Sequence, residues 1–238
     1  MEQNDRVVVS VFVNPMQFGP TEDLDKYPRD LAADTRLCEA AGANLIFNPE
    51  PSEMYAEGFC SFVDMNGPTS ELCGKSRPTH VRGVCTVVNK LFNIVQPDRS
   101  YFGQKDAQQL SVIRRMVKDL NIPVEVVPCP PVREADGLAK SSRNTYLNPQ
   151  ERQAALILSR AIKLGQRCVE MGERDAHNVV KAMKELIATE PMARIDYVEA
   201  VDLDSVQKVD KVEGDVLFAM AVYIGKTRLI DNFIVNIK

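Results

Sequence analysis

The chain has 238 residues, 45% of them hydrophobic and 26% charged; this is the make-up of a globular protein with a sizeable core, long enough for one large domain or two modest ones. Its 29 basic and 33 acidic residues leave a net charge of -4 with no polybasic block, which argues against nucleic acid as a partner. The polar start and Pro15 do not fit a secretory signal, and the longest apolar run, Val216 to Ile224, falls short of the roughly 20 residues of a membrane span, so a cytoplasmic protein without a membrane segment is expected.

In chain order, Val7 to Val13 reads VVVSVFV, a nearly continuous apolar run that predicts a strand buried on both faces of a parallel sheet, ended by Asn14-Pro15. Helical spacing follows from Asp30 to Ala41, closed by Gly42, and Asn44 to Phe47 is the next predicted strand. Pro49 to Pro78 is rich in Pro, Gly and Ser and has no regular pattern. Val81 to Val95 then carries a Val84, Val87, Val88 and Leu91 stripe, predicting a helix that covers the sheet. Arg99 to Phe102 is a strand, Gly103 a turn, Asp106 to Leu120 a helix with Leu110, Ile113, Met116, Val117 and Leu120 on one side, and Pro123 to Val127 a strand.

This alternation predicts a doubly wound α/β sheet over about the first 130 residues. Beyond it, Asn148-Pro149-Gln150-Glu151 is a strong helix start, and a long helix is expected to run to about Met171. Asp175 to Thr189 reads as a second helix, and Tyr197 to Val201, Val216 to Val222 and Leu229 to Val235 as short strands of a small α+β domain. The expected division is 1–131 for a Rossmann-like domain and 132–238 for a C-terminal domain. Six cysteines, Cys38, Cys60, Cys73, Cys85, Cys129 and Cys168, form no Cys-x-x-Cys pair and are expected to be reduced and mostly buried thiols.

Four segments could carry chemistry. Asn14 and Gln17 lie just past the carboxyl end of the first strand, where ligands of open α/β sheets bind; alternatively Asn14 only bonds the backbone of its own turn. Tyr101 to Gln109, containing Gly103, Gln104, Lys105, Asp106 and Gln109, passes from strand to helix start, a place that favours an anion, with Lys105 adding a positive charge; alternatively Asp106 caps the helix and Lys105 is solvated. Val132 to Asn144 places Lys140, Ser141, Ser142 and Arg143 together, a pattern able to clamp a triphosphate or simply to form an exposed interdomain loop. Arg77-Pro78-Thr79-His80 offers His80 as a substrate neighbour, while His177 reads as structural.

Together these segments resemble the pantothenate synthetase family, over essentially the whole chain from Val7 to Ile237. The resemblance rests on FVNPMQFG at 12–19, DKYPRD at 25–30, LCGKSRPTHVRGV at 72–84, FGQKDAQQL at 102–110 and VREADGLAKSSRN at 132–144. It implies a Rossmann-like nucleotidyltransferase domain, a smaller C-terminal domain that closes over the site, and a homodimer. It also implies that pantoate, β-alanine and ATP with Mg2+ are the small-molecule partners, joined through a pantoyl adenylate with release of pyrophosphate and AMP.

Carried over by position, the resemblance gives Gln17 and Gln109 to pantoate and puts Asn14 near the adenylate or β-alanine. Gly103 and Asp106 go to the ribose, with Gln104 beside them, Lys105 to the phosphates, and the Val132 backbone to adenine. Lys140, Ser141, Ser142 and Arg143 go to the phosphates; Lys105 and Arg143 are the catalytic candidates, and no side chain is assigned to the metal. Many relatives carry Met or Leu in place of Lys140 and Glu in place of Gln104. The family also begins with a strand and a His-x-Gly-His turn that this sequence does not show, so the natural gene is expected to extend upstream. The competing expectations are a catalytically impaired remnant that only binds ligand or dimerises, and another nucleotidyltransferase of the same superfamily.

Overall fold

The computed structural model describes residues 3–19, 22–66, 72 and 80–237, which leaves the readings of Cys73 and of Arg77, Pro78 and Thr79 outside the described residues. The chain forms two compact units, residues 1–64 with 79–97 and residues 65–78 with 98–238.

In the first unit, strand β1 (Val8–Ser10) pairs in parallel with β2 (Leu45–Phe47). The expected strand from Val7 to Val13 is therefore shorter, and Val8 is 38% exposed, so it is not buried on both faces. The reason is pairing: β1 has one three-residue partner among the described residues, and a parallel pair of that size covers little surface. Helix α1 (Leu31–Ala40) is capped by Asp30, which accepts the Ala33 N–H at 2.9 Å. It ends at Gly42 with φ +80°, a left-handed close that favours glycine. No residue of α1 is buried, because Leu31 and Leu37 are spaced too widely for a helical stripe. Helix α2 (Pro51–Met54) lies within the stretch read as irregular.

Helix α3 (His80–Val95) buries Val81, Val84, Cys85, Val88 and Phe92, spaced as one helical face. Phe92 takes the place expected for Leu91, which is half-buried. α3 packs against a 3₁₀ turn at Pro15–Gln17.

The second unit opens with another parallel pair, β3 (Arg99–Gly103) and β4 (Glu125–Cys129). They are linked by a 3₁₀ turn at Gln104–Asp106 and helix α4 (Ala107–Asp119), which buries Leu110, Ile113 and Met116. Gly103, expected as a turn, instead closes β3 in extended backbone. The start read at Asn148 holds: its side chain accepts the Glu151 N–H at 2.9 Å and Glu151 accepts the Asn148 N–H at 3.0 Å. The long helix expected from there is two helices, α5 (Pro149–Ala154) and α6 (Leu156–Glu170). The break comes at Ala155, whose carbonyl takes the Leu158 N–H at 3.1 Å and so tightens one turn. Helix α7 (Ala176–Ile187) follows, with Asp175 accepting the His177 N–H at 2.8 Å.

Strands β5 (Ala193–Asp202), β6 (Gly214–Ile224) and β7 (Thr227–Ile237) form an antiparallel sheet in the order β5-β6-β7. One face packs on α6 and α7 through Val216, Phe218, Met220, Val222 and Phe233. α6 lies close there: a Cβ on Gly165 would stand 2.8 Å from both Met183 Sδ and the Phe233 ring. The other face meets Leu72, Ala107 and Val206 through Val201, Leu217 and Ala219. The strand buried on both faces is therefore β6, with Val216 to Val222 buried without interruption.

The described cysteines are all free, but only Cys85 is buried; Cys38, Cys129 and Cys168 are half-buried and Cys60 is exposed. They are thus less buried than expected, since Cys38 lies on the unburied helix α1 and Cys60 in an open loop. Among the described residues no helix is long and apolar enough to cross a membrane.

Candidate active site

Asn14 and Gln17 belong to the first unit. Asn14 is 2% exposed, and its amide uses both oxygen lone pairs and both N–H groups. Oδ1 accepts the Met16 N–H at 3.3 Å and the Tyr55 hydroxyl at 2.7 Å, while Nδ2 donates to Gly83 O at 3.1 Å and Gln17 Oε1 at 3.3 Å. The local turn read for Asn14 is present, and three long or cross-turn bonds are added to it. The His80 ring Nδ1 lies 2.9 Å from Gln17 O, which places the histidine on the backbone of this turn. Such close crossing requires Gly83: a Cβ there would collide with Met16 O and lie 2.7 Å from Gln17 N. Tyr55 is set between rings, 6.4 Å from Phe12 and 5.1 Å from Phe59, and burial pushes its phenol up to about 12, so it stays a donor.

The other candidates belong to the second unit. Gly103 ends β3 with nothing within 4 Å of where a Cβ would stand, and Gln104, Lys105 and Asp106 form the 3₁₀ turn before α4. Asp106 occupies the N-cap position of α4, yet its side chain makes no capping hydrogen bond, so capping does not explain that carboxylate. Gln109 follows within the first turn of α4, half-buried.

The turn is tied from β7. Asn232 Nδ2 donates to Gln104 O at 3.0 Å and to Lys105 O at 2.8 Å. Its own N–H goes to Asp231 Oδ1 at 2.9 Å. Asp231, with a side chain 1% exposed, holds Arg133 in two bonds of 2.7 and 2.9 Å. The Asp231 hydrogen bond raises the Arg133 pKa further above its ordinary value, and such a part-buried, two-point pair fixes the geometry of the two side chains.

Arg133 begins a small hairpin, pairing with Ala139, and Lys140 N–H bonds Val132 O at 2.9 Å. Val132 is 64% exposed and Lys140 exposed. Ser141 accepts the Arg143 N–H at 3.3 Å and starts a 3₁₀ turn at Ser142–Tyr146. A small pocket is lined by Lys105 and Ser141 together with Asn144, Ala139, Asp231 and Leu158. Asn144 Nδ2 donates to Ala139 O at 3.1 Å, while its buried Oδ1 has no partner among the described residues. Among the described residues no cluster of three or more His, Cys, Asp or Glu could hold a metal ion. His177 pairs with Asp210 at 3.0 Å on the surface.

Tyr55, Asp231 and Asn232 escaped the sequence reading, and Gly83 and Asn144 entered it only within longer motifs, with no role of their own. For Asp231 and Asn232 a signal existed: two adjacent polar residues interrupt the apolar run of Leu229 to Val235, and a polar pair in a buried strand needs partners.

The sequence pattern described as pantoate-beta-alanine ligase matches residues 1–234. The pantothenate synthetase of Ruminiclostridium cellulolyticum is 63% identical over 231 residues, covering 97% of this chain and 82% of its own length. The crystal structure of pantothenate synthetase from Thermus thermophilus superposes with a TM-score of 0.94 at 45% identity, over 98% of this chain and 84% of that one. The pantoate-beta-alanine ligase of Francisella tularensis, solved in complex with beta-gamma ATP and beta-alanine, gives a TM-score of 0.77 at 31% identity, over 98% and 80%.

Proposed function

The chain belongs to the pantoate-beta-alanine ligase family, and from that premise we propose how it carries out the family's reaction. It is an ATP-dependent ligase of pantoate and β-alanine. The observation that carries this reading is the 63% identity over 97% of the chain with a pantothenate synthetase. The ATP and β-alanine complex of the Francisella ligase supports the same substrates.

In the proposed route a pantoate carboxylate oxygen attacks the α-phosphorus of ATP, the bond to the β-phosphate oxygen breaks, and pyrophosphate leaves. The β-alanine amine then attacks the acyl carbon of the pantoyl adenylate; the carbon–oxygen bond to phosphate breaks, the nitrogen loses a proton, and AMP leaves. Gln17 and Gln109 hold pantoate by amide hydrogen bonds, with Asn14 bracing Gln17. Gly103, whose open side lets a ligand approach, and Asp106, whose carboxylate makes no capping bond, take the ribose, with Gln104 beside them and the Val132 backbone at adenine. Lys105 and Arg143, with Ser141, Ser142 and Lys140, put positive charge and donors where the pentavalent transition state gathers negative charge. That Lys105 and Ser141 line one small pocket supports this assignment.

Mg2+ would be carried on the ATP phosphates, where it would neutralise charge, with no side chain of this chain assigned to it. Residues 132–238 act as the domain that closes over the nucleotide and 1–131 as the nucleotide- and pantoate-binding domain. The homodimer rests on the family resemblance, and the cytoplasmic setting on the sequence reading alone.

The test is pyrophosphate release by the purified chain. Release should require ATP and pantoate together, and AMP should accumulate only when β-alanine is added. Pyrophosphate formed equally without pantoate would contradict the reading.

A further inference from the structure

We propose that Tyr55, acting through Asn14, is a positioning residue for the Gln17 amide, and that this relay makes Gln17 select a substrate group that accepts hydrogen bonds. The inference rests on the reading that Gln17 holds pantoate.

Four hydrogen bonds make up the relay. The Met16 N–H can only donate and the Gly83 carbonyl can only accept, so these two backbone groups, bonded at 3.3 and 3.1 Å, fix which end of the Asn14 amide is which. With Oδ1 so placed, the Tyr55 hydroxyl at 2.7 Å must donate. With Nδ2 so placed, its second N–H goes to Gln17 Oε1 at 3.3 Å. Gln17 Oε1 thereby faces Asn14, and Nε2 is the opposite pole of its amide. A donor pole suits carboxylate and hydroxyl oxygens, which pantoate offers.

Tyr55 supplies the stiffness. Asn14 is 2% exposed, so an Oδ1 that lost the phenol would find no water to replace it, and the amide would be less firmly held. The phenol is placed by rings rather than by polar neighbours, Phe12 on one side and Phe59 on the other. Gly83 lets α3 approach closely enough for its carbonyl to complete the set.

The experiment has two readouts on the 238-residue chain, applied to Tyr55→Phe and Asn14→Asp. The first is the Gln17 side-chain amide signal in a nitrogen-15 proton spectrum, identified by its disappearance in Gln17→Glu; it needs no ligand. The second is the dissociation constant for pantoate beside that for ATP. Tyr55→Phe should move the Gln17 signal and weaken pantoate about three- to tenfold, the worth of one neutral hydrogen bond, while leaving ATP unchanged. Asn14→Asp keeps both acceptor positions and loses both donors, so Gln17 must turn its NH2 group inward and pantoate should weaken more than in Tyr55→Phe. A merely structural tyrosine would lower the melting temperature with the Gln17 signal and the pantoate constant unmoved, and that result overturns the proposal, as does wild-type pantoate affinity in Asn14→Asp if Tyr55→Phe does not fold. If the Gln17 signal moves but wild type itself does not bind pantoate, the positioning role stands and the pantoate reading falls.

Discussion

Strands β1 and β6 look alike as sequence and behave differently. VVVSVFV in the first unit is a nearly continuous and VLFAMAV in the second a continuous apolar run, yet β1 pairs over three residues with Val8 38% exposed, while β6 is buried from Val216 to Val222. The difference lies in partners. β6 has a strand on each side and an apolar layer on each face, α6 and α7 on one and Leu72, Ala107 and Val206 on the other. Apolar continuity permits two-sided burial, but neighbours decide it. The consequence is a division of labour: the antiparallel sheet and its helices carry most of the packing, and the ligand candidates sit on turns that other elements must hold in place.

The largest expected effect breaks that comparison directly. Met220→Ala in β6, a fully buried position, should cost about 2 to 5 kcal/mol, whereas Val8→Ala in β1 should cost under about 1 kcal/mol; urea unfolding of both variants measures it, and equal losses would dissolve the distinction. Next, Asn232→Ala removes both bonds that tie the Lys105 turn to β7. It should cost about 1 to 3 kcal/mol and raise KM for ATP while leaving KM for pantoate in place; an unchanged ATP KM would cut the link between the stable sheet and the turn.

The smallest effect is in alkaline solution. Burial favours the neutral Tyr55 phenol, raised from 10.0 to about 12. Its contribution to stability is therefore whole below pH 10 and is lost as the pH climbs through 12. The gap in melting temperature between wild type and Tyr55→Phe should narrow over that range; a constant gap would place the phenol in water.

What could be read from the sequence was what neighbours in sequence determine. The Asn148–Glu151 helix start, the Gly42 end of α1 and the buried Val84, Val87 and Val88 of α3 are local patterns with local causes, and they stand where expected; Phe92 in place of Leu91 does not. The break at Ala155 was not readable, because no glycine or proline marks it. Tyr55 reaches Asn14 across 41 residues and Asn232 reaches Lys105 across 127, and no spacing rule connects partners so distant. Lys105 and Ser141 were each legible as phosphate candidates from charge and turn chemistry, but their meeting in the lining of one small pocket depends on the packing of the second unit.

Activation of pantoate as an adenylate is the step on which the proposed function turns, and oxygen labelling tests it most directly. With pantoate carrying oxygen-18 in its carboxylate, turnover with ATP and β-alanine should place one labelled oxygen in the phosphate of AMP and leave pyrophosphate unlabelled. Label appearing in inorganic phosphate, with ADP as the nucleotide product, would show attack on the terminal phosphate and contradict the account.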